Sequence, residues 1–315
     1  MPEIALKIDR LTKCYGSLVA VHDLSLEICA GEVFGFLGPN GAGKTTAIRM
    51  MCGLLKPNAG RVLVLGVDIA SDPSACLRVG VCPQEIVLWS KLTCLEQLVY
   101  AGQLYGLSAA KARSRAVGLL GDLDLAKKKD QLPQSLSGGM QRRLNLALAL
   151  VHDPETVVLD EPEAGLDPQS RVRVREYIRS LARRKTVVLT THNMDEADRV
   201  ADRVAIIDHG ELLALGAPED LKRSRGEGDV IEIGLKSPAD SDRAQMALSS
   251  LALAGRAEIH CADGALVVRA LNAVQLLPRI LEVLTAEGIP QGEVRLRENT
   301  LEDVFIQLTG KRLRE

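Results

Sequence analysis

The residue types best suited to chemistry lie in the segment GPNGAGKTT, at positions 38–46. Four of its residues fit the phosphate-binding loop pattern G-x-x-x-x-G-K-[ST]: Gly38, Gly43, Lys44 and Thr45. Glycines let backbone N–H groups close around phosphate oxygens, the lysine supplies positive charge to the terminal phosphates, and the threonine hydroxyl can ligate Mg²⁺. We therefore expect this segment to bind a nucleoside triphosphate.

Two adjacent carboxylates, Asp160 and Glu161, form the second candidate for chemistry. They end an apolar run, Thr156–Leu159, that predicts a buried strand. Because neighbouring side chains of a strand point to opposite faces, Asp160 can join a Mg²⁺ shell while Glu161 faces the water that attacks the γ-phosphate. Two acids after a strand are common, so this pattern alone also fits a strand end without catalytic function.

A third candidate is Ser137-Gly138-Gly139, which opens a predicted helix over Arg142–Val151. A serine with two glycines at a helix N-terminus can form a second anion site, although an ordinary helix cap has the same composition. One chain thus offers two phosphate sites and needs only one. Phosphate binding alone leaves kinases, small GTPases and motor ATPases open.

Taken in order, these segments resemble the ATP-binding cassette (ABC) family across residues 1–220. In that family, the signature segment of one subunit closes over the ATP held by the phosphate loop of its partner. The resemblance therefore implies a homodimer of this chain in the ATP-bound state, with ATP and Mg²⁺ as cofactors. It also implies an ATPase that converts ATP and water to ADP and phosphate.

The resemblance assigns roles residue by residue. Glu161 would be the general base, His192 the γ-phosphate switch, and Asp167 the residue that links the two sites. Tyr15 would stack on the adenine, and Gln84 would touch Mg²⁺ and report to a transmembrane partner. Taken singly, these residues also fit a capped loop histidine, a turn aspartate, a surface tyrosine and a helix-capping glutamine. The implied ATP contacts are Tyr15, Gly38, Pro39, Asn40, Gly41, Ala42, Gly43, Lys44, Thr45, Thr46, Gln84 and His192; the signature contacts to the partner's ATP are Ser137, Gly138, Gly139 and Gln141; the Mg²⁺ ligands are Thr45, Gln84 and Asp160.

Two positions depart from the family pattern. Glu163 stands where the family commonly has Thr or Ser, so an extra carboxylate could alter the basicity of Glu161. Ala47 follows Thr46 where many relatives have another Thr. Neither change removes a group that the chemistry requires.

The elements that position these residues follow from the hydrophobic pattern. Alternating residues near the N-terminus predict half-buried antiparallel strands, whereas four almost continuously apolar runs predict strands buried on both faces of a parallel sheet. Helices are predicted between them, so the fold class is α/β, with a P-loop NTPase core of the ABC type by resemblance. The apolar runs are 33–37, 156–159, 186–190 and 204–207; the helices are 168–184 and 194–201; a helical insertion covers about 84–140.

The nucleotide-binding pattern fades near Leu221, where a charged stretch containing glycine predicts a linker. We expect an ABC domain over 1–221 and an accessory or regulatory domain over 222–315. The second domain is predicted as a small α+β unit with a split βαβ, ferredoxin-like plan. Its last helix presents an apolar face that fits either a second copy of the chain or the domain's own sheet. The predicted strands are 230–235, 257–260, 266–270 and 294–297, and the helices are 239–253, 273–287 and 301–308.

Composition narrows the functional class. The chain has 315 residues, enough for about two domains, and its formal net charge of −2 gives no reason to expect nucleic acid as a partner. Its seven cysteines form no C-x-x-C pair, which favours reduced thiols over disulfides or a zinc site. A signal peptide and an apolar run of the ~18 residues that span a membrane are not found in the sequence. Work at a membrane would therefore require another chain's helices.

A finer resemblance lies outside the core. The C-terminal segment Leu301–Gly310, together with Pro83-Gln84-Glu85, Leu92-Thr93 and Leu104-Tyr105-Gly106, is similar to the ATP-binding subunits of daunorubicin-resistance-type exporters. It implies a separately encoded integral-membrane permease. It also implies a peripheral position at the cytoplasmic face of a bacterial inner membrane. Ile86–Trp89 would then line the groove for the permease, or would instead be packed inside the insertion.

The sequence therefore predicts an exporter ATPase for a drug-like, lipid or polysaccharide compound. The alternative is a soluble ABC ATPase of DNA maintenance or translation, which would normally show long heptad segments or two cassettes. A P-loop kinase is the remaining enzyme alternative, and the segment Ser137-Gly138-Gly139 argues against it.

Overall fold

A computed structural model describes residues 3–182, 184–224, 229–237, 240–252, 257–262, 265–270 and 273–310. The chain divides into two compact units, one up to Pro218 and one that starts at Glu219. The sequence places this boundary three residues later, inside a helix that spans Pro218–Ser224. Half of the predicted linker at 222–229 lies outside the described residues, at 225–228; residues 222–224 belong to this helix, and Asp229 begins a strand.

The first unit alternates strands and helices. Among its described residues, the strands are β1 (Ile4–Tyr15), β2 (Leu18–Cys29), β3 (Val33–Leu37), β4 (Ala59–Val64), β5 (Val67–Asp68), β6 (Val79–Cys82), β7 (Thr156–Asp160), β8 (Thr186–Thr191), β9 (Arg203–Asp208) and β10 (Glu211–Gly216). The α-helices are α1 (Lys44–Met51), α2 (Cys94–Leu104), α3 (Ala109–Asp122), α4 (Gly138–Leu150), α5 (Pro168–Ala182) and α6 (Met194–Val200). Short 3₁₀ helices cover Pro73–Arg78, Ala126–Lys128 and Pro133–Ser135.

Two sheets organise this unit. An antiparallel sheet has the order β2-β1-β4-β5, and a central sheet has the order β10-β9-β3-β8-β7-β6. In the central sheet, all neighbours are parallel except β9 and β10. The predicted α/β core with an antiparallel subdomain and a helical insertion is confirmed. The edge strand β6 was not predicted, because Val79–Cys82 is too short to show a clear period.

The parallel strands bring the candidate residues to one edge of the central sheet. The phosphate loop follows β3, Gln84 follows β6, Glu161 follows β7 and His192 follows β8. Carboxyl ends of parallel strands lie at the same edge, which is where α/β proteins bind ligands. The order β3-β8-β7-β6 therefore places segments more than a hundred residues apart in sequence next to one another.

The inner strands of the central sheet, β3, β7, β8 and β9, are buried on both faces. Val157 and Leu159 of β7 belong to one hydrophobic cluster, with α2–α5, whereas Val158 belongs to a second cluster with α1 and the antiparallel sheet. Every residue of β7 is buried, as its continuous apolar run predicts. This double burial fixes where β7 ends, and thus where Asp160 and Glu161 are presented.

The second unit contains one four-stranded antiparallel sheet. Its described elements are α7 (Pro218–Ser224), β11 (Asp229–Leu235), α8 (Ser241–Ala252), β12 (Ala257–Ala262), β13 (Ala265–Ala270), α9 (Ala273–Ala286), β14 (Gln291–Arg297) and α10 (Leu301–Thr309). The sheet order is β12-β13-β11-β14, so β13 lies between the two strands that α8 connects. This is the arrangement of a split βαβ, ferredoxin-like unit. The predicted ends of α8, at 239 and 253, lie outside the described residues.

The apolar face of α10 is not free to meet a second copy. Leu301, Val304 and Phe305 are buried within the chain, and Leu308, the fourth residue of this face, is half-buried. This burial argues against the first of the two interpretations that the sequence left open, in which the face meets a second copy of the chain. In the part of the chain that the structure describes, none of the helices is both long and apolar enough to cross a membrane.

Candidate nucleotide site

The phosphate loop ends where α1 begins. Gly43, the residue before α1, has φ +98°, and a Cβ there would lie 2.3 Å from the carbonyl oxygen of Ala20. Only glycine fits such a conformation against a neighbouring backbone. The first turn of α1 therefore presents its unpaired N–H groups and its positive dipole end towards the loop, which suits an anion.

Lys44 lies within the loop that it follows. Its Nζ donates to the carbonyl oxygens of Gly38 at 2.6 Å and Pro39 at 3.0 Å, and its side chain is buried. Burial lowers the pKa of Lys44, while the nearby carboxylates of Glu161 and Asp160 act in the opposite direction. The cation is therefore held beside both acids at the centre of the site.

Glu161 contacts two other predicted site residues. Gln84 donates from Nε2 to Glu161 Oε2 at 3.0 Å, and Nδ1 of His192 lies 3.0 Å from Glu161 Oε1. Glu161 is nearly buried, whereas about half of the His192 side chain is exposed. The structure thus brings the predicted base, the glutamine and the histidine into direct contact.

The backbone of Glu161 is strained. Its φ is +46°, in the left-handed region that non-glycine residues rarely adopt, and it precedes Pro162. A proline further restricts the residue before it to extended conformations. Such strain costs about 1–3 kcal/mol and persists only where surrounding contacts hold it. Its position at the end of β7 is typical of a functional site.

Thr190 of β8 joins the two acids. Its buried hydroxyl donates to Oδ1 of Asp160 at 2.6 Å and accepts from the backbone N–H of Glu161 at 2.9 Å. Thr190 is not among the site residues predicted from the sequence. The sequence feature that could have indicated it is a hydroxyl-bearing residue at the carboxyl end of an apolar strand.

A cavity of about 470 Å³ lies over the phosphate loop. Leu18, Val19, Ala20 and His209 line it although the sequence did not predict them. Gly38, Pro39, Ala42, Asp160 and His192 do not line it. The described residues around the cavity are Tyr15, Leu18, Val19, Ala20, Asn40, Gly41, Gly43, Lys44, Thr45, Thr46, Gln84, Glu161 and His209.

The signature segment lies apart from this cavity. Ser137 caps α4, accepting from the N–H of Met140 at 3.3 Å, and Gly138 and Gly139 form the first turn of that helix. A Cβ on Gly139 would lie 2.3 Å from Ser170 Oγ, which itself donates to Asp167 at 2.6 Å. The signature segment and Asp167 are therefore neighbours, and neither contributes to the cavity of its own chain.

Gln141 has a local role within its own chain. Its Nε2 donates to the carbonyl oxygens of Pro133 at 3.0 Å and Leu136 at 3.2 Å. The amide thereby ties the segment before the signature to α4.

Glu163 has its own counter-ion. Both of its carboxylate oxygens accept from Arg175 of α5, at 2.7 and 3.2 Å, and the pair is largely buried. Its charge is therefore balanced by a guanidinium, which limits the effect on Glu161 that the sequence suggested.

Comparison with known proteins identifies the family. The sequence pattern of the ABC transporter family matches residues 21–164. The linearmycin resistance ATP-binding protein LnrL of Bacillus subtilis is 36% identical over 98% of this chain and 100% of its own length. The Nod factor export ATP-binding protein I of Paraburkholderia xenovorans is 40% identical over the full length of both chains.

The chain belongs to the ABC transporter family. It is an ABC-type ATPase subunit, as the motifs predicted. It is also similar to the daunorubicin resistance ATP-binding protein DrrA3 of Streptomyces coeruleorubidus, at 38% identity over 98% of this chain and 97% of that protein.

Two solved structures resemble this ABC subunit. One is the ATP-binding subunit of an ABC transporter, with a TM-score of 0.64 and 29% identity over 70% of this chain and 92% of that chain. The other is a dimeric ATP-binding cassette in a post-hydrolysis state, bound to ADP and Pi. It has a TM-score of 0.62 and 27% identity, over 67% of this chain and 98% of that chain. The predicted family and fold are therefore confirmed.

Proposed function

We propose that this chain powers an exporter by hydrolysing ATP, and that it moves a drug-like, lipid or polysaccharide compound through a separate membrane subunit. Near full-length similarity to proteins named for drug resistance and Nod factor export carries this proposal. The alignment includes the C-terminal unit, which the family pattern at 21–164 does not reach. The alternative function, a soluble ABC ATPase of DNA maintenance or translation, does not account for the similarity in the C-terminal unit.

The site suits ATP with Mg²⁺. A Mg²⁺ ion prefers oxygen donors, and the hydroxyl of Thr45, the amide oxygen of Gln84 and the carboxylate of Asp160 supply them. Within the described residues, Oδ2 of Asp160 and Oε1 of Gln84 accept no hydrogen bond, so both remain available for this purpose. When bound, the ion would neutralise charge on the phosphates.

In the proposed reaction, Glu161 accepts a proton from the water that attacks the γ-phosphate. Gln84 and His192, which contact its two carboxylate oxygens, orient it. Lys44 holds phosphate charge, and Tyr15 at the cavity rim offers an aromatic face to the adenine. The arrangement supplies positioning and electrostatics, which account for most of the catalysis of phosphoryl transfer.

We propose that the active form is a homodimer. The separation of the signature from its own cavity supports this proposal, because Ser137, Gly138 and Gly139 have no nucleotide to meet in their own chain. In a head-to-tail dimer they would complete the partner's site, and Asp167 beside them would link the two sites.

The partner surface follows Gln84. Ile86, Val87 and Trp89 are exposed, and Trp89 packs edge-on against Tyr100 of α2 with ring centroids 5.6 Å apart. Leu88 instead packs into the core beneath them. Three exposed apolar side chains after the glutamine suit an apolar helix of the permease, on the cytoplasmic side of a bacterial inner membrane.

The test is reconstitution with a candidate permease, a chain with about six hydrophobic spans sought among the neighbouring genes. In inverted vesicles, the wild-type pair should show ATP-dependent uptake of the exported compound, and Glu161→Gln should abolish it. Val87→Asp should lower the stimulation of ATPase by the permease at least tenfold. Val117→Asp changes a valine of α3 that is also about half exposed, and it should leave stimulation within twofold. Equal loss in both valine variants would refute the partner surface, and hydrolysis without uptake of any tested compound would refute the exporter assignment.

A further inference from the structure

Arg142 occupies an unusual position in α4. It is buried, with 3% of its surface exposed, yet the guanidinium pairs with none of the carboxylates in the described chain. Instead, all five of its N–H groups donate to backbone carbonyl oxygens. The acceptors are Pro162 for Nε at 3.1 Å, Pro83 and Gln84 for Nη1 at 2.7 and 2.8 Å, and Asp160 and Glu161 for Nη2 at 2.7 and 2.5 Å.

These acceptors belong to the two segments that form the catalytic end of the site. Pro83 and Gln84 follow β6, and the other three acceptors end β7 and continue beyond it. A planar guanidinium can hold two backbone segments at fixed separation because its donors diverge in one rigid plane. Arg142 is therefore the side chain that joins the glutamine loop to the backbone of the proposed base.

The strain at Glu161 explains why such a clamp is needed. The conformation of a residue is set by the two peptide planes that flank it. Nη2 of Arg142 binds the carbonyl of both planes, those of Asp160 and Glu161, while Thr190 binds the N–H of Glu161. The left-handed φ of Glu161 is thus held from both sides.

We propose that Arg142 is a positioning residue for ATP hydrolysis, which fixes the backbone of Glu161 and of Gln84 from the helix that begins with the signature segment. This inference rests on the proposed role of Glu161 as general base. Since α4 starts at Gly138, any shift of the signature helix moves Arg142 and therefore the base of the same chain.

The neighbouring Arg143 provides a matched control. It is equally buried, at 4% exposed, and also donates to backbone carbonyl oxygens, those of Leu123 at 2.6 Å and Asp124 at 3.4 Å. Unlike Arg142, it also pairs with a carboxylate, that of Asp124 at 3.5 Å. Both acceptors lie in the helical insertion, away from the catalytic segments. Arg142→Lys and Arg143→Lys therefore make the same chemical change on one helix, and only the first should alter the site.

A lysine has three N–H groups on one nitrogen and cannot bridge both segments. We expect Arg142→Lys to lower kcat by 10- to 100-fold while KM for ATP and the Kd for nucleotide stay within threefold. Arg143→Lys should keep kcat within threefold of wild type. In urea unfolding, both variants should have midpoints that are lower than that of wild type by a similar amount. Equal kcat in the two variants overturns the proposal, as does a matched loss of kcat and affinity in Arg142→Lys.

A double-mutant cycle separates positioning from a general structural effect. If Arg142 acts through Glu161, then adding Arg142→Lys to Glu161→Gln should slow the residual hydrolysis by less than twofold. A multiplicative loss overturns the proposal. If Arg142→Lys and Arg142→Gln both fail to fold while the same Arg143 variants fold, Arg142 is a scaffold residue and the proposal is also overturned.

The same cycle distinguishes this inference from the proposed function. If Glu161→Gln hydrolyses ATP at the wild-type rate, Glu161 is not the general base, and the proposed role of Arg142 is refuted together with that assignment. If Glu161→Gln is slow but Arg142→Lys hydrolyses ATP at the wild-type rate, only the inference about Arg142 is overturned, and the proposed function stands.

Discussion

Two glutamates in one short segment should respond in opposite ways to the same substitution. Glu161→Gln removes the proposed base, whereas Glu163→Gln removes one partner of a buried ion pair with Arg175. The glutamine side chain keeps the size of glutamate in both cases. At position 161 its amide oxygen can still accept from Gln84 and its NH₂ can donate to His192, so both contacts survive.

The magnitudes follow from these contacts. Loss of general-base catalysis lowers kcat about 10²- to 10⁴-fold, which corresponds to about 3–5 kcal/mol in the barrier. Stability should hardly change at position 161, because no hydrogen bond is lost. Breaking a buried ion pair costs about 3–5 kcal/mol, and Glu163→Gln should lie at the low end because its oxygen still accepts one guanidinium N–H. A total stability of ~5–15 kcal/mol leaves that variant folded.

Steady-state ATPase rates and urea unfolding of both variants measure the two effects. Glu161→Gln should be slow and stable, and should elute as a dimer with Mg-ATP in gel filtration. Glu163→Gln should unfold at a lower urea concentration with kcat within threefold of wild type. A Glu163→Gln protein as slow as Glu161→Gln, at equal stability, would show that Glu163 takes part in activating water and that the assignment of the base is wrong.

Three further predictions concern the dimer, pH and the two units. A 1:1 mixture of Lys44→Ala and Ser137→Arg proteins should recover about a quarter of the wild-type ATPase rate, because half of the dimers are mixed and each has one intact site of two; no recovery counts against composite sites. Burial lowers the pKa of His152 to about 4, and Lys185 and Arg115 act in the same direction. The free energy of unfolding should therefore fall as pH drops from 6.5 to 4, because the unfolded state binds the extra proton in that range; solvent around the partly exposed ring limits the loss to about 1–2 kcal/mol. His152→Phe keeps an aromatic ring stacked on Tyr105. In urea unfolding, the drop in the free energy of unfolding between pH 7.5 and pH 5 should be smaller for this variant than for wild type, and an equal drop would assign the pH effect to other groups. A fragment of residues 1–217 should stay folded and bind ATP within about threefold of the full chain by calorimetry, less than ~1 kcal/mol, and a folded fragment that does not bind would place the C-terminal unit in the nucleotide site.

Much of the fold could be predicted from local patterns in the sequence. The loop at 38–46 is recognisable because its glycines, lysine and threonine lie close together in sequence. The inner strands β3, β7, β8 and β9 of the central sheet are recognisable because they are buried on both faces. The strand and helix order of the second unit was also predicted. The predicted boundary at 221/222 lies three residues beyond the division after Pro218, within the charged helix α7, whose composition resembles that of a linker.

What the sequence could not show depends on contacts between distant segments. The pairing of Glu163 with Arg175 spans twelve residues, and the bonds of Arg142 to the glutamine loop span almost sixty. An arginine in a helix and a threonine in a strand carry no local mark of these roles. Only the sheet order, with β6 and β8 on either side of β7, brings Arg142 and Thr190 to Glu161.

The two-sided burial of β7 limits how this subunit can diversify. Inserting or deleting one residue there would exchange Val158 with its neighbours across the sheet and would displace Glu161 by a position. Length changes are tolerated far better in surface segments, which bury little. An ATPase of this kind that acquires a new membrane partner should therefore do so through side-chain and length changes around Ile86–Trp89, while β7 keeps its length. Laboratory evolution towards a foreign permease should accumulate its substitutions in that exposed segment first.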